Sequence, residues 1–229
     1  MKRIILFLLI LTGLTSAQKK DPEKIIEQVK EKFAKVEDYV VDVNIKIDVE
    51  RLKAPDTKAK IYYKQPDKIH IESESFALLP KNGLNFSPSA LLDADEFTSI
   101  YERTDTINGH KTDVIKVIPL NKNSDAVLTI LWIDEKEFII RKVESSMKIG
   151  ATYTLDLKYE NNFDYPLPSE MIFTFNSDEM NMRNKVMDDT ESKSREKQRR
   201  DTKGKVYITY KNYKVNKGIP DSVFEEKEK

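Results

Sequence analysis

From residue 41 the chain alternates between apolar and polar side chains with a period of two. Val41, Val43, Ile45, Ile47 and Val49 interleave with Asp42, Asn44, Lys46, Asp48 and Glu50. Successive strand side chains point to opposite faces, so this pattern predicts a long strand with one greasy and one wet side. Ala59, Ile61 and Tyr63 repeat it against Lys58, Lys60 and Lys64, and Ile69 and Ile71 repeat it against His70, Glu72 and Glu74. One-sided strands joined by short turns imply an antiparallel sheet with one face in water. Further strands are expected over 97–103, 111–118, 126–133, 138–147, 152–159, 170–176 and 206–213, roughly ten in all by period and turn signals. Asn108-Gly109 marks a tight turn, and 134–137 a short hairpin loop.

Only one segment carries a strong helical period. Ile25, Ile26, Val29, Phe33 and Val36 fall on one stripe of the stretch 21–36, with Glu and Lys opposite. Asp21 is placed to cap it, Pro22 suits its first position, and Glu23 complements the helix dipole. Such a helix lies on an apolar surface with its other side wet.

The first 17 residues read as a cleavable export signal. Lys2 and Arg3 precede the apolar run 4–11, and Thr15, Ser16 and Ala17 supply small residues before Gln18. The run is far shorter than the ~20 residues of a spanning helix. Residues 18–229 are expected to form one domain, long enough to bury a core without disulfides or a structural metal. The chain has no cysteine, which excludes thiolate metal sites, thiol nucleophiles and a lipid-bearing cysteine. Basic and acidic side chains number 39 each, and the basic count falls to 37 without Lys2 and Arg3. A near-neutral chain gives no footprint for nucleic acid.

Two segments break the regularity. The stretch 76–92 carries Phe76, Leu78, Leu79, Leu84, Phe86, Leu91 and Leu92 among Pro80, Gly83 and Pro88. It reads either as a connection plugging the core or as a lid over a binding cleft. The stretch 177–203 is a densely charged mixture with few apolar anchors, expected to be a mobile insertion between two strands.

No catalytic apparatus is visible. His70 and His110 are the only histidines, and neither has a second metal-capable residue at ligand spacing in its own segment. There is no G-x-S-x-G elbow, no H-E-x-x-H and no phosphate-cradling glycine loop. Carboxylates alternate along strands, where solvation of an outer face accounts for them; a glycosidase-type pair drawn from distant strands stays open. The expectation is a non-enzyme with no cofactor and no metal. A one-sided sheet wrapped around a helix leaves either a filled interior or an apolar space, which would hold alkyl chains at about 0.8 kcal/mol per CH₂.

The run Ala59-Lys60-Ile61-Tyr62-Tyr63-Lys64-Gln65-Pro66-Asp67-Lys68-Ile69 resembles the G-x-L-x-x-K-R-P-x-x-F stretch of LolA-like periplasmic lipoprotein carriers. Ile107-Asn108-Gly109-His110 through Val117-Ile118-Pro119, then Leu131-Trp132-Ile133-Asp134, is similar to the middle of the wider LolA/LolB-like superfamily. So is the ending Asn212-Tyr213-Lys214-Val215-Asn216 with Gly218-Ile219-Pro220-Asp221-Ser222-Val223-Phe224. The resemblance implies an α+β fold: a half-open antiparallel β-barrel of roughly ten to eleven strands, with the N-terminal helix and a loop or helix lid over its concave face. It implies a monomeric periplasmic carrier that takes acyl chains of lipoproteins or other lipids between inner- and outer-membrane transfer proteins. The expected cavity lining is Val43, Ile45, Ile47, Ile61, Tyr63, Ile69 and Ile71, and the expected lid is Phe76, Leu78, Leu79, Leu84 and Phe86. The carriers have an arginine before the proline of that stretch, important for handling lipoproteins; here the position is Gln65. A non-enzymatic sensor or adaptor of the same fold, working through the 177–203 insertion, is the alternative, and a hydrolase acting on lipid or glycan a weaker third.

Overall fold

The computed structural model describes residues 20–49, 55–73, 97–122, 124–148, 150–160, 165–176 and 203–225. The expected export signal, the expected lid residues Phe76, Leu78, Leu79, Leu84 and Phe86, and nearly all of the expected 177–203 insertion lie outside them.

Helix α1 runs Pro22–Ala34. Asp21 caps it as its sequence implies, its carboxylate accepting the N–H groups of Glu23 and Lys24. It stops two residues short of Val36, because the chain must turn there to enter the first strand. Among the described residues ten strands follow: β1 Asp38–Asp48, β2 Thr57–Lys64, β3 Lys68–Ser73, β4 Phe97–Ile107, β5 His110–Pro119, β6 Ala126–Asp134, β7 Ile140–Met147, β8 Thr152–Lys158, β9 Glu170–Asn176 and β10 Lys203–Val215. A short 3-10 turn, Asp221–Val223, comes after them.

All ten strands form one antiparallel sheet in the order β3-β2-β1-β10-β9-β8-β7-β6-β5-β4. Strands β3 and β4 are its edges, so the sheet is open, as a half-open barrel requires. Asn108 and Gly109 join β4 to β5 with φ of 49° and 81°, the left-handed pair whose twist matches flanking strands. The seventh strand starts at Ile140 rather than 138, because Phe138 takes a φ of 48° inside the hairpin turn. Register shifts at Val40/Asp42, Tyr101/Arg103, Ala126/Leu128 and Trp132/Ile133 mark bulges that bend the sheet.

One face of the sheet carries the core. Ile25, Ile26, Val29 and Phe33 of α1 form one buried cluster with Val41, Val43 and Ile45 of β1, Ile61 and Tyr63 of β2, and inward residues of β5 to β10. The helix lies across this inner face and is tied at both ends. Before it, the Lys20 ammonium reaches Asp113 at 2.6 Å and Glu135 at 2.5 Å. Beyond its last turn, Asn216 donates to the Lys35 carbonyl and accepts the Glu37 N–H, while the Asp38 carboxylate takes the N–H groups of Lys217 and Gly218.

Candidate functional site

The register aligns inner-face residues into rows that cross the strands. One row joins Ile47, Val206, Phe173, Leu155, Val143, Leu131, Ile115 and Tyr101. The next, displaced by two residues along each strand, joins Gly204, Phe175, Tyr153, Ser145, Thr129, Val117 and Ser99. Burial falls along these rows. Leu131, Val143 and Ile115 are inaccessible, whereas Ile47, Tyr153, Phe173 and Phe175 are only half-buried.

The expected lining residues divide along this gradient. Val43, Ile45, Ile61 and Tyr63 are 2% exposed or less and sit in the core shared with α1. Ile47, Ile69 and Ile71 are half-buried and pack against its margin. Between Val29 and Phe33 of the helix and Ile140 of β7 the residual gap is about 10 Å³, so the helix itself seats tightly there. Half-buried apolar side chains of the two rows include Ile47, Tyr153, Phe173 and Phe175. The aromatic members touch, with ring centroids 5.5 Å apart for Tyr153 and Phe173 and 5.2 Å for Phe173 and Phe175. Glycine at 204 makes room for this arrangement, since a Cβ there would stand 2.5 Å from the Phe175 ring.

Gln65 has a structural task. Its side-chain amide donates to the carbonyls of Ala34 and Val36 at 3.1 and 2.8 Å, satisfying groups that a helix end leaves open. The Gln65–Pro66 bond is cis, and the Tyr63 hydroxyl donates to the Pro66 carbonyl. The motif that carries the resemblance thus anchors the helix to the β2–β3 turn.

The inner face also carries tyrosines and hydroxyls, together with the buried Asp113, which stands in phase with Ile115 and pairs with Lys20. Burial pushes the phenols of Tyr39, Tyr159, Tyr210 and Tyr213 well up, so all four stay neutral at any physiological pH. Tyr39 stacks on Tyr63 at 5.0 Å, and Tyr213 meets Tyr39 edge-on. Thr129 and Ser145 share a hydrogen bond of 3.2 Å. Among the described residues, the hydroxyls of Ser99 and Tyr210 are buried without a partner. Sequence reading passed over Ser99, Thr129 and Ser145, although Thr129 and Ser145 stand in phase with inward Leu131 and Val143.

His110 keeps 43% side-chain exposure but belongs to a cluster. Its Nδ1 is 3.1 Å from the buried Asp134 carboxylate and 2.9 Å from the Arg141 guanidinium. Burial opposes the ionised form of Asp134, but the N–H groups of Glu137 and Lys136 and the Arg141 guanidinium outweigh it and hold the carboxyl below its ordinary value. A polar cleft of about 180 Å³ lies beside it, lined by Lys32, His110, Glu137, Arg141, Tyr159 and Glu160 among others. Among the described residues no three His, Asp or Glu side chains converge as metal ligands.

Three solved structures share this architecture over most of their length. A LolA superfamily protein of Nitrosomonas europaea superimposes with a TM-score of 0.59 at 12% identity, over 90% of this chain and 98% of its own. The chain has a LolA-like fold. A domain from Vibrio parahaemolyticus assigned to outer membrane lipoprotein sorting gives the same result, with a TM-score of 0.58 at 15% identity over 89% and 97% of the two chains. A DUF1329 family protein of Desulfovibrio piger gives 0.59 at 12% identity over 90% and 98%. No family model matches the chain, and no curated protein does. The LolA-like fold therefore stands on shape and strand order, with sequence identity too low to transfer any residue's role.

Proposed function

We propose that the mature chain is a periplasmic carrier that shields acyl chains of lipoproteins or other lipids, with no bond-making step. The observation that carries this reading is the group of half-buried apolar side chains Ile47, Tyr153, Phe173 and Phe175 on the inner face. An alkyl chain laid on such a surface is bound without directional contacts, each buried CH₂ contributing about 0.8 kcal/mol. The neutral tyrosines favour the same cargo, because they present no charge that a hydrocarbon would leave unsolvated. The solved neighbour assigned to outer membrane lipoprotein sorting supports the same class of role and the same compartment.

The test is direct. The mature protein is purified without detergent, extracted with organic solvent, and the extract read by mass spectrometry; titration with a fluorescent fatty acid follows. Co-purified acyl lipid, or saturable binding of the fluorescent probe, is the expected result. An empty protein that also leaves the probe unbound overturns the proposal.

A further inference from the structure

The polar cleft of about 180 Å³ is built from the β6–β7 turn, the segment between β8 and β9, the start of β5 and Lys32 of α1. Arg141 brings most of its unanswered hydrogen-bonding capacity. That side chain is only 11% exposed, and its guanidinium lies 5.9 Å from the centre of the Tyr159 ring. One edge of the guanidinium is occupied: Nε donates to Asp134 at 2.8 Å, and Nη2 donates to His110 Nδ1 at 2.9 Å. The outer edge, one N–H from each Nη, has no partner among the described residues. Two parallel N–H groups at such an edge match the two oxygens of a singly charged acid group. Because Arg141 only donates, Nδ1 of the neutral His110 ring accepts and the ring hydrogen sits on Nε2, a further donor in the lining.

The charges around the cleft cancel in two pairs and leave one over. Arg141 pairs with Asp134, and Lys32 pairs with Glu137 at 3.1 Å. Glu160 lines the same cleft, is exposed, and has no ion pair among the described residues. A plain anion would answer the donors but face the Glu160 carboxylate, and a plain cation would answer Glu160 but leave the donors open. A zwitterion answers both. The space is smaller than the roughly 300–1,000 Å³ of sites for drug-sized ligands, which limits the guest to a small molecule or a head group. We propose that this cleft binds a small zwitterion, with its acid group on the free edge of Arg141 and its ammonium at Glu160. A free α-amino acid and the phosphoethanolamine head of a phospholipid share this chemistry. None of Ile47, Tyr153, Phe173 and Phe175 lines the cleft, so the site stands or falls separately from the carrier reading.

The experiment follows the His110 imidazole by NMR in the mature protein, where His70 is the only other histidine and His70→Gln assigns the two signals. The zwitterionic probes are L-alanine and glycerophosphoethanolamine. Each has an acid-only control, N-acetyl-L-alanine and glycerophosphoglycerol, and ethanolamine serves as the ammonium-only control. One zwitterion is expected to shift the His110 signal saturably and to bind about 2- to 5-fold tighter than its acid-only control, the worth of one exposed ion pair. Ethanolamine binds more weakly still. The tighter zwitterion identifies the source. In Glu160→Gln that advantage falls to parity while the acid-only control still binds. In Arg141→Lys, which keeps the charge but loses the fork, zwitterion and control both weaken at least 10-fold. Arg141 also holds the Asp134 turn, so if Arg141→Lys misfolds, Glu160→Gln decides alone, its side chain being exposed and without an ion pair among the described residues. Absence of a saturable shift with both zwitterions overturns the site. So does an equal response to the acid-only controls in the unaltered protein, or an advantage that survives Glu160→Gln.

Discussion

Asp134 closes the β6–β7 turn by accepting the N–H groups of Lys136 and Glu137 and pairing with Arg141 at 2.8 Å. Replacing it with asparagine removes the charge but keeps the shape, and should cost about 1.5–3 kcal/mol, the value of hydrogen bonds to a charged group. Its carboxyl is held below the ordinary value, so its contribution is complete above the unfolded value of ~3.9 and is lost as the pH falls through the folded one. Denaturant melts from pH 6 to about 2.5 should show that acid limb in the parent protein and a shallower one in Asp134→Asn. Gly204 poses a steric question instead. A methyl group there meets Cζ of Phe175 at 2.5 Å, so Gly204→Ala should destabilise by about 1–3 kcal/mol through a displaced ring. Adding Phe175→Leu should recover part of the loss in a double-mutant cycle; strict additivity of the two changes would show that the ring is not the cause.

At the level of elements, α1 was legible because its signals are local: cap, proline and charge at the start, and an apolar stripe at helical spacing. Its seating was not. Gln65 lies 31 residues from the Ala34 carbonyl it satisfies, and Asn216 lies 181 from that of Lys35. No spacing rule links such residues, because the sheet brings them together by closing β2 on β1 and β10 on β1. Gln65→Ala should lower stability by about 1 kcal/mol and speed amide exchange selectively at the end of α1. Uniform acceleration across the sheet would instead mean that Gln65 has no particular hold on the helix. The strand boundaries followed the period-two pattern closely. They departed where a bulge or a left-handed residue interrupts alternation, as at Phe138, which packs against the core although its backbone has already left the strand.

For the whole molecule, the open sheet implies that an occupant of the inner face adds to stability. A ligand that binds only the folded state raises stability by about 2.7 kcal/mol at a hundredfold excess over its Kd. Calorimetry with monopalmitoyl glycerol should therefore show a rise in Tm that grows with lipid concentration. A melting temperature indifferent to saturating lipid would argue that the inner face takes no such guest. Val43, Ile45, Ile61 and Tyr63 could be named as inward residues from alternation alone; they are almost fully buried in the cluster that α1 shares, while Ile47, Ile69 and Ile71 are half-buried against it. Alternation tells which face a side chain takes, not how deeply it is buried there. By itself the sequence determined that the strands are one-sided and that a single amphipathic helix must cover their apolar side, since both follow from periodicities a few residues long. Only the tertiary structure decided which residues stand in line across strands, that Ser99, Thr129 and Ser145 share a row, and that Asp134 meets Arg141 and His110. Register is a relation between distant segments, and it is settled by the packing of the whole inner face.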